Sequence, residues 1–238
     1  IQQLFQVAKF MITDYSSVAF EMGLLGKPVL YYPAHAGARS QLITDKYCSS
    51  DNEKILCAAE KEGYKAIVRP KEMALPTSQH IDCIMHALRV MEQDGKVPDI
   101  LVVLLANNVT IKTEWIDNCI RLMESDDKIT AVVPVYEDND HHPLRAKTLN
   151  KDGMLEMYEK GIDGEVSTNR QDLPKCYFLA NNFWVLRVDW LKSGKKGQQP
   201  WGFMGNNIIP YKINESIDIH KEIDLYIAKE WIKENYCD

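Results

Sequence analysis

Short apolar runs alternate with amphipathic stretches along most of this chain. The strongest run covers residues 99–105, where aliphatic residues follow Asp99 without interruption, and a second covers residues 129–135. Uninterrupted apolar runs of this length are typical of strands buried on both faces. Helical patterns run to about residue 63, over residues 78–94, and onward from Thr113 or Glu114. Strands and helices that alternate at this spacing predict an α/β layered domain with a mostly parallel sheet.

The first part of the chain has a pattern of its own. Residues 1–9 have helical spacing, residues 10–12 and 29–33 are short apolar runs, and the helical pattern between those runs ends at Gly26. This order predicts a strand–helix–strand unit. A polar stretch without a period then covers residues 34–44. We therefore predict two parts, a unit over 1–46 and a domain over 47–238, and because the chain opens on Ile1 we expect it to belong to something longer.

Composition narrows the function classes. The 238 residues carry a net charge of -6, which argues against bulk electrostatic binding to nucleic acid. Six scattered cysteines without a C-x-x-C pair predict buried thiols in a reducing compartment, and hence a cytoplasmic protein. No apolar run reaches the ~18 residues of a membrane span, so we expect no transmembrane segment.

The first candidate site follows the first predicted strand. Asp14, Ser16 and Ser17 open a helix, where backbone N–H groups and hydroxyls favour a bound phosphate, although by themselves such residues are more often a simple helix cap. The longer string MITDYSSVAFEMGLLGKPVLYYP resembles the CDP-glycerol glycerophosphotransferase family, which polymerises teichoic-acid and capsule backbones. That resemblance implies a βαβ piece of a GT-B-like domain, with the Asp-Tyr-Ser-Ser segment holding the phosphates of a donor nucleotide.

Polar residues also follow two later strands. Ser49 and Asp51 stand after a short strand, in a position where Ser or Asp also caps a helix. Asn107 and Asn108 follow the strongest strand, where an asparagine turn is the plain alternative. Because ligands of such sheets bind beyond the carboxyl ends of the strands, all four residues are candidates for substrate contact.

Two motifs near the C-terminus are more specific. The first is the string RQDLP at residues 170–174, followed by Tyr177 and a strand, and the second is the string IDIHKEID at residues 217–224. A planar guanidinium such as that of Arg170 binds a carboxylate through two parallel hydrogen bonds. A carboxylate such as Asp218 suits Mg²⁺, which prefers oxygen ligands.

These motifs resemble the acylneuraminate (CMP-sugar) cytidylyltransferase family over about residues 47–238. The resemblance implies a three-layer, Rossmann-like fold of the nucleotide-diphospho-sugar-transferase type. It also implies that Ser49 and Asp51 contact the nucleotide and that Asp218 holds Mg²⁺ and is catalytic together with Arg170. The residues that it places at the sugar acid are Arg170, Gln171, Asn107, Asn108 and Tyr177.

The sequence departs from that family at two points. His220 stands where a second carboxylate is usual, and Asp224 is then expected to support the last helix. The family also begins with a Gly-rich basic loop that cradles the CTP phosphates, and no string in this sequence matches it.

The resemblance implies an enzyme that joins CTP and an acidic sugar into a CMP-sugar, with release of pyrophosphate, for capsule or surface polysaccharide synthesis. It also implies a homodimer. The alternative is a non-catalytic remnant or fusion fragment, in which a piece of a CDP-glycerol or teichoic-acid polymerase precedes an activation module.

Overall fold

The computed structural model describes residues 42–43, 45–61, 63–75, 77–105, 107–162 and 164–236. The predicted strand–helix–strand unit of the first part, with Asp14, Ser16 and Ser17, lies outside these residues. The strands are β1 (Tyr47–Ser50), β2 (Lys65–Val68), β3 (Ile100–Leu104), β4 (Ala131–Glu137), β5 (Lys147–Leu149), β6 (Leu155–Met157), β7 (Tyr177–Leu179), β8 (Phe183–Arg187) and β9 (Ile208–Lys212). The helices are α1 (Glu53–Lys61), α2 (His80–Gln93), α3 (Thr113–Glu124), α4 (Val188–Lys192) and α5 (Glu222–Tyr236).

Strands β1 and β2 form a small parallel sheet that is joined by helix α1. The side chain of Asn52 accepts a hydrogen bond from the Lys54 backbone N at 2.9 Å, so Asn52 caps the start of α1, where the sequence indicated Ser or Asp. Helix α1 turns its apolar side toward the two strands. The buried residues of this unit are Cys48, Ile55, Leu56, Ala58, Ala59 and Tyr64.

A second, five-stranded sheet forms the centre of the described domain. Strand β8 lies between β3 and β4 and is antiparallel to both, β7 is antiparallel to the second half of β4, and β9 is parallel to β4 on its other side. Strands β3, β4 and β9 therefore run in one direction, and only the β7–β8 stretch is reversed. The carboxyl ends of β3, β4 and β9 meet at one edge of this sheet.

Apolar side chains cover both faces of the central sheet. Phe183 and Val185 of β8 pack with helix α3 on one face, while Trp184 and Leu186 pack with α2 and α4 on the other. All four residues are at most 1% exposed. Alternation with period two explains the division, because successive side chains of a strand point to opposite faces. The result is a helix–sheet–helix arrangement, which confirms the predicted three-layer α/β fold.

Most predicted elements are present with bounds shifted by one or two residues. The apolar run at 99–105 became β3, the run at 129–135 became β4, and the helical pattern at 78–94 became α2. Of the helices in the described part of the chain, none combines the length and apolar character that crossing a bilayer requires.

Candidate functional site

Residues far apart in sequence meet at the carboxyl edge of the central sheet. Asn107, just beyond β3, donates a hydrogen bond from its side-chain amide to Asp218 Oδ1. Its backbone carbonyl accepts from the Ile219 N at 2.8 Å, and Asn108 forms an isolated antiparallel bridge with Asp218. The asparagine pair after the strongest strand and the IDIHKEID motif are therefore one structural feature, built from the end of β3 and the segment before α5.

A buried polar network holds this junction in place. Asn108 is 0% exposed, and its amide donates to the Ala180 carbonyl at 2.8 Å and to Ser216 Oγ at 2.7 Å. Its Oδ1 accepts from the Thr110 N and Oγ1, at 2.9 and 2.6 Å. Asn182, also fully buried, donates to the Thr110 carbonyl at 2.7 Å. With its polar atoms engaged inside the protein, Asn108 has the placement of a structural residue and not of a ligand contact.

Thr110 connects the same network to the segment that carries Asp218. The Ile217 N donates to Thr110 Oγ1 at 2.7 Å. Since the Ile219 N is held by the Asn107 carbonyl, hydrogen bonds to the strand-end loop fix the backbone on both sides of Asp218. The carboxylate is thus positioned by backbone contacts and not only by its own side-chain bonds.

The Asp218 carboxylate lies in a half-buried setting, with 33% of its side chain exposed. Burial raises the pKa of Asp218 above its usual range, while the charge and hydrogen bond of His220 and the hydrogen bond from Asn107 act in the opposite direction. His220 Nε2 lies 3.0 Å from Asp218 Oδ2. A positive charge on His220 would therefore stabilise the ionised carboxylate of Asp218, which burial disfavours.

Asp224 has the role that the sequence predicted for it. Its Oδ2 accepts hydrogen bonds from the backbone N of His220 and of Lys221, at 2.9 and 2.7 Å. These contacts stabilise the start of α5, where backbone N–H groups lack partners inside the helix. Asp224 therefore supports the start of α5. Within the described residues, no group of three His, Cys, Asp or Glu side chains is arranged to hold a metal ion.

The RQDLP motif forms a short 3-10 turn over Arg170–Asp172, and Asn169 caps it. The Arg170 guanidinium pairs with Asp140 in the loop after β4. Asn139 fastens the two loops together, since its amide donates to the Arg170 carbonyl at 3.2 Å and its Oδ1 accepts from the Cys176 N at 2.9 Å. Arg170 is exposed, as is Gln171 beside it, so its guanidinium is accessible to a ligand that can compete with Asp140.

Tyr177 is the first residue of β7 and lies opposite Glu137 of β4. Lys212, the last residue of β9, donates to the Tyr177 hydroxyl at 3.0 Å and lies 4.8 Å from the centre of its ring. The Glu137 carboxylate pairs with Lys175 at 2.9 Å, and these contacts lower the pKa of Glu137. Basic side chains therefore gather at the carboxyl ends of β4 and β9, in a group that the sequence motifs did not indicate.

Tyr136 is the second-last residue of β4. Burial raises the pKa of the Tyr136 hydroxyl, and the negative charges of Asp138 and Asp218 raise it further. Both carboxylates therefore act on one phenol. Tyr136 belongs to no sequence motif, because only the pairing of β4 with its neighbours brings it to the carboxyl edge of the central sheet.

Asn181 is a second residue that the motifs did not single out as a site residue. It has a φ of 49°, in the left-handed region that asparagine tolerates better than most residues. Its side-chain Oδ1 is buried without a hydrogen-bond partner in the described structure. Because the preceding Ala180 carbonyl binds Asn108 and Ser216, Asn181 lies beside the junction that holds Asp218. A buried acceptor without a partner is a candidate ligand contact.

Ser49 and Asp51, the predicted nucleotide contacts, lie at the end of β1 on the small sheet. Asp51 pairs with the buried Arg69 at 3.1 Å, and the Ser49 hydroxyl is buried without a partner. Within the described residues, no hydrogen bond or ion pair joins either side chain to Asp218. The structure therefore brings Asn107 and Asn108 to Asp218, and leaves the role of Ser49 and Asp51 a prediction.

Comparison with known proteins gives the chain two distinct similarities. Residues 1–42 match the family model described as CDP-Glycerol:Poly(glycerophosphate) glycerophosphotransferase. The pseudaminic acid cytidylyltransferases of Campylobacter jejuni serotype O:2 and serotype O:23/36 are each 23% identical to this chain over 163 residues, which is 67% of this chain and 67% of each relative. Most of the chain resembles sugar-acid cytidylyltransferases.

Solved structures agree in fold. CMP:2-keto-3-deoxy-manno-octonic acid synthetase, in a complex with CTP, matches with a TM-score of 0.56 and 12% identity, over 83% of this chain and 85% of that one. The 4-diphosphocytidyl-2C-methyl-D-erythritol synthase of Anaerococcus prevotii matches with a TM-score of 0.52 and 11% identity, over 82% of each chain. Both resemblances that the motifs indicated are confirmed, and so is the fold type expected for the described domain, while the GT-B-like unit expected ahead of it stays a prediction. The domain boundary at 46/47 and the individual site residues stay predictions.

Proposed function

We propose that the described domain is a cytidylyltransferase, which activates an acidic sugar with CTP to give a CMP-sugar and pyrophosphate. The observation that carries the proposal is the junction of Asn107 with Asp218 at the carboxyl edge of the sheet. Ligands of open α/β sheets bind at this edge. The similarity to two pseudaminic acid cytidylyltransferases supports the choice of CTP and a sugar acid as substrates.

The acid-binding side would be the surface around Arg170. Its guanidinium already pairs with a carboxylate, that of Asp140, and is exposed, so a substrate carboxylate that displaces Asp140 would find a charged partner there. Gln171 and Tyr177, with the Lys212 ammonium on the Tyr177 hydroxyl, would supply further polar contacts.

A divalent metal fits this site only in part. Mg²⁺ is commonly held by one or two carboxylates together with substrate phosphates. Asp218 supplies one carboxylate, whereas the imidazole of His220 is a poor ligand for a hard cation. Both oxygens of Asp218 have partners, Asn107 and His220, so a metal would share an oxygen with at least one of these contacts. The residues present therefore fit a Mg²⁺ ion held by Asp218 and by the triphosphate, whose charge the ion would offset.

The proposed reaction is a displacement at the α-phosphorus of CTP. A hydroxyl oxygen of the sugar acid forms the new P–O bond, the bond to the β-phosphate breaks, pyrophosphate leaves, and the hydroxyl proton passes to solvent. Arg170 would hold the sugar acid by its carboxylate, and Asp218 would be placed at the phosphates by the backbone contacts of its neighbours. Positioning of two reactants in this way can supply much of the acceleration of an enzyme.

The proposal extends to the setting of the reaction. We place it in the cytoplasm, as the work of a homodimer whose product feeds capsule or other surface polysaccharide. The five cysteines in the described residues are free thiols, as in a reducing compartment. The match of residues 1–42 to a polymerase family supports the connection to surface polymers such as teichoic acid.

The test is release of pyrophosphate from CTP and Mg²⁺ in the presence of a panel of acidic sugars, pseudaminic acid included. We expect turnover with at least one acid, and a loss of roughly 100-fold in Asp218→Asn, because a carboxylate at the phosphates would be lost. Asp152→Asn, an exposed position in the β5–β6 hairpin, is the matched control and should keep full activity. No turnover with any acid, together with CTP binding that is unchanged in Asp218→Asn, would contradict the proposal.

A second candidate function is binding of nucleotide or sugar acid without transfer. The pairing of His220 with Asp218 favours it, since this contact would compete with a metal for Asp218 Oδ2. Titration calorimetry separates the two candidates. If the protein binds CTP, and neither the parent nor His220→Asp releases pyrophosphate, the non-catalytic function is favoured.

A further inference from the structure

The residues that join β7 to β8 lie beside the carboxyl end of β3. The Ala180 N donates to the Pro134 carbonyl of β4 at 2.9 Å, and the Leu105 N, directly after β3, donates to the Asn182 carbonyl at 2.9 Å. Asn181 is the residue between these two anchors. It therefore lies at the carboxyl end of β3, between that strand and β4, and ligands of open α/β sheets bind at such positions.

Asn181 has a backbone conformation that glycine adopts more easily. Its φ is 49°, and in the described part of the chain no other residue besides glycine has a positive φ. This conformation costs free energy for an L-residue and persists where the surroundings fix it. Here the Ala180 carbonyl is bound by Asn108 and Ser216, at 2.8 and 2.5 Å, and Asn182 is fully buried. Glycine would meet the backbone requirement without strain, so the fold does not explain the amide side chain.

The side-chain oxygen of Asn181 lacks the partner that comparable oxygens have. Asn108 Oδ1 accepts from Thr110, and Asn182 Oδ1 accepts from the Phe183 N at 2.8 Å. Asn181 Oδ1 is buried, and within the described residues no donor reaches it. The residue as a whole is only partly buried, so its side chain borders the surface. A buried acceptor without a partner is unfavourable, and a ligand that brings a donor removes that cost.

The chemistry of this oxygen selects the kind of ligand group. An amide oxygen accepts hydrogen bonds and donates none, so ionised carboxylate and phosphate groups, which also only accept, are excluded as its partners. The Asp218 carboxylate, held at the same junction, disfavours an anion there further. A neutral hydroxyl or N–H group fits both conditions.

We propose that Asn181 Oδ1 accepts a hydrogen bond from a hydroxyl or amide N–H of the sugar acid and so positions the sugar beside Asp218. This inference rests on the proposed function, since it takes the sugar acid as the ligand. Tyr177, on the surface proposed for the acid, begins the strand that leads to Asn181, and the two residues are at most about 13 Å apart along it. A sugar acid held by its carboxylate at Arg170 would thus present its hydroxyls toward Asn181.

Binding of the sugar acid tests this role and does not require turnover. Asn181→Gly keeps the backbone conformation and removes the acceptor. We measure the full chain by titration calorimetry with pseudaminic acid and with 2-keto-3-deoxy-manno-octonic acid. The Kd of the better-bound acid should rise about tenfold in Asn181→Gly, which is the value of one neutral hydrogen bond, and the Kd of CTP should stay unchanged. Asn206→Gly, at an exposed position shortly before β9, is the matched control and should bind both ligands as the parent does.

Asn181→Ala separates the acceptor from the backbone strain. Alanine lacks the oxygen and is disfavoured at positive φ, so this variant should melt several degrees below Asn181→Gly and yet bind the acid equally weakly. Acid affinity that follows the melting temperature through the parent and the two variants would indicate a structural role and overturn the proposal.

Three other results would also overturn it: unchanged acid affinity in Asn181→Gly, a loss of CTP affinity in that variant, and absence of acid binding to the parent. The pyrophosphate assay judges the proposed function separately. Acid binding that depends on Asn181, without pyrophosphate release by the parent, would refute the transferase and leave the role of Asn181 intact.

Discussion

The side-chain amide of Asn107 donates a hydrogen bond to the carboxylate of Asp218 across 111 residues of sequence. Its neighbour Asn108 turns the other way and is fully buried among Ala180, Ser216 and Thr110. The two adjacent asparagines thus have different roles: Asn107 contacts the candidate catalytic carboxylate, and Asn108 holds the loops together.

Substitution of these two residues should separate activity from stability. Asn108→Ala leaves buried partners without hydrogen bonds and should lower the free energy of unfolding by about 3 kcal/mol. Asn107→Ala should change it by less than about 1 kcal/mol and yet lower pyrophosphate release by roughly 10-fold to 100-fold, because the orientation of Asp218 is lost. Urea unfolding and the pyrophosphate assay measure the two effects. Equal loss of stability in both variants would contradict this division.

The acidic limb of the pH profile of pyrophosphate release should depend on His220. Burial raises the pKa of Asp218, so the ionised carboxylate and any activity that needs it are lost at a higher pH than for an ordinary aspartate. His220 opposes the shift, and His220→Gln should therefore raise the pKa of Asp218 further and move the limb to higher pH. His141→Gln, in an exposed loop, is the control. A limb that moves to lower pH in His220→Gln would refute the assignment.

Removal of the Asp218 charge should not destabilise the fold at neutral pH. A carboxyl whose pKa is raised in the folded protein binds its proton more tightly there than in the unfolded chain. Stability therefore falls as pH rises from the ordinary aspartate pKa through the folded one. Asp218→Asn should thus have a free energy of unfolding at pH 7 at least equal to that of the parent, with its advantage absent at pH 3. A clear loss of stability at pH 7 would show that the charge is favourable.

Arg170 and Asp140 should affect the sugar acid in opposite directions. Arg170→Ala removes a charge-assisted contact and should raise the KM for the acid about tenfold, with kcat changed less. Asp140→Asn releases the guanidinium from an exposed ion pair, which is worth at most about 1 kcal/mol, and should lower that KM by up to about fivefold. Arg121→Ala, on α3, is the control. Steady-state kinetics at varied concentrations of the acid measure both KM values. A change of KM in the same direction in both variants would contradict the placement of the sugar acid at Arg170.

The cysteines should differ sharply in reactivity. Burial raises the pKa of the Cys48 and Cys119 thiols to about 12, so almost no thiolate is present at pH 8. Cys57 is exposed and should react with a maleimide within minutes. Peptide mass spectrometry identifies each modified site, and a urea-denatured sample is the control in which all thiols react. Modification of Cys119 at the rate of Cys57 would show that α3 does not pack as described.

The sequence by itself determined the α/β class, the positions of the longest elements and the resemblance to sugar-acid cytidylyltransferases. Local patterns suffice for these, because an uninterrupted aliphatic run such as β3, and the spacing of α2, depend on residues close in sequence. It also indicated the helix-supporting role of Asp224, which acts within four residues of its partners.

Only the tertiary structure decided how the motifs combine. It joined Asn107 to Asp218, buried Asn108, placed Lys212 on Tyr177, and left Ser49 and Asp51 on a separate small sheet. These relationships depend on which strands are neighbours, and a one-dimensional pattern does not encode that order. Strand β8 pairs with both β3 and β4 and so brings the loop after β3 beside Ala180, whose carbonyl Asn108 binds.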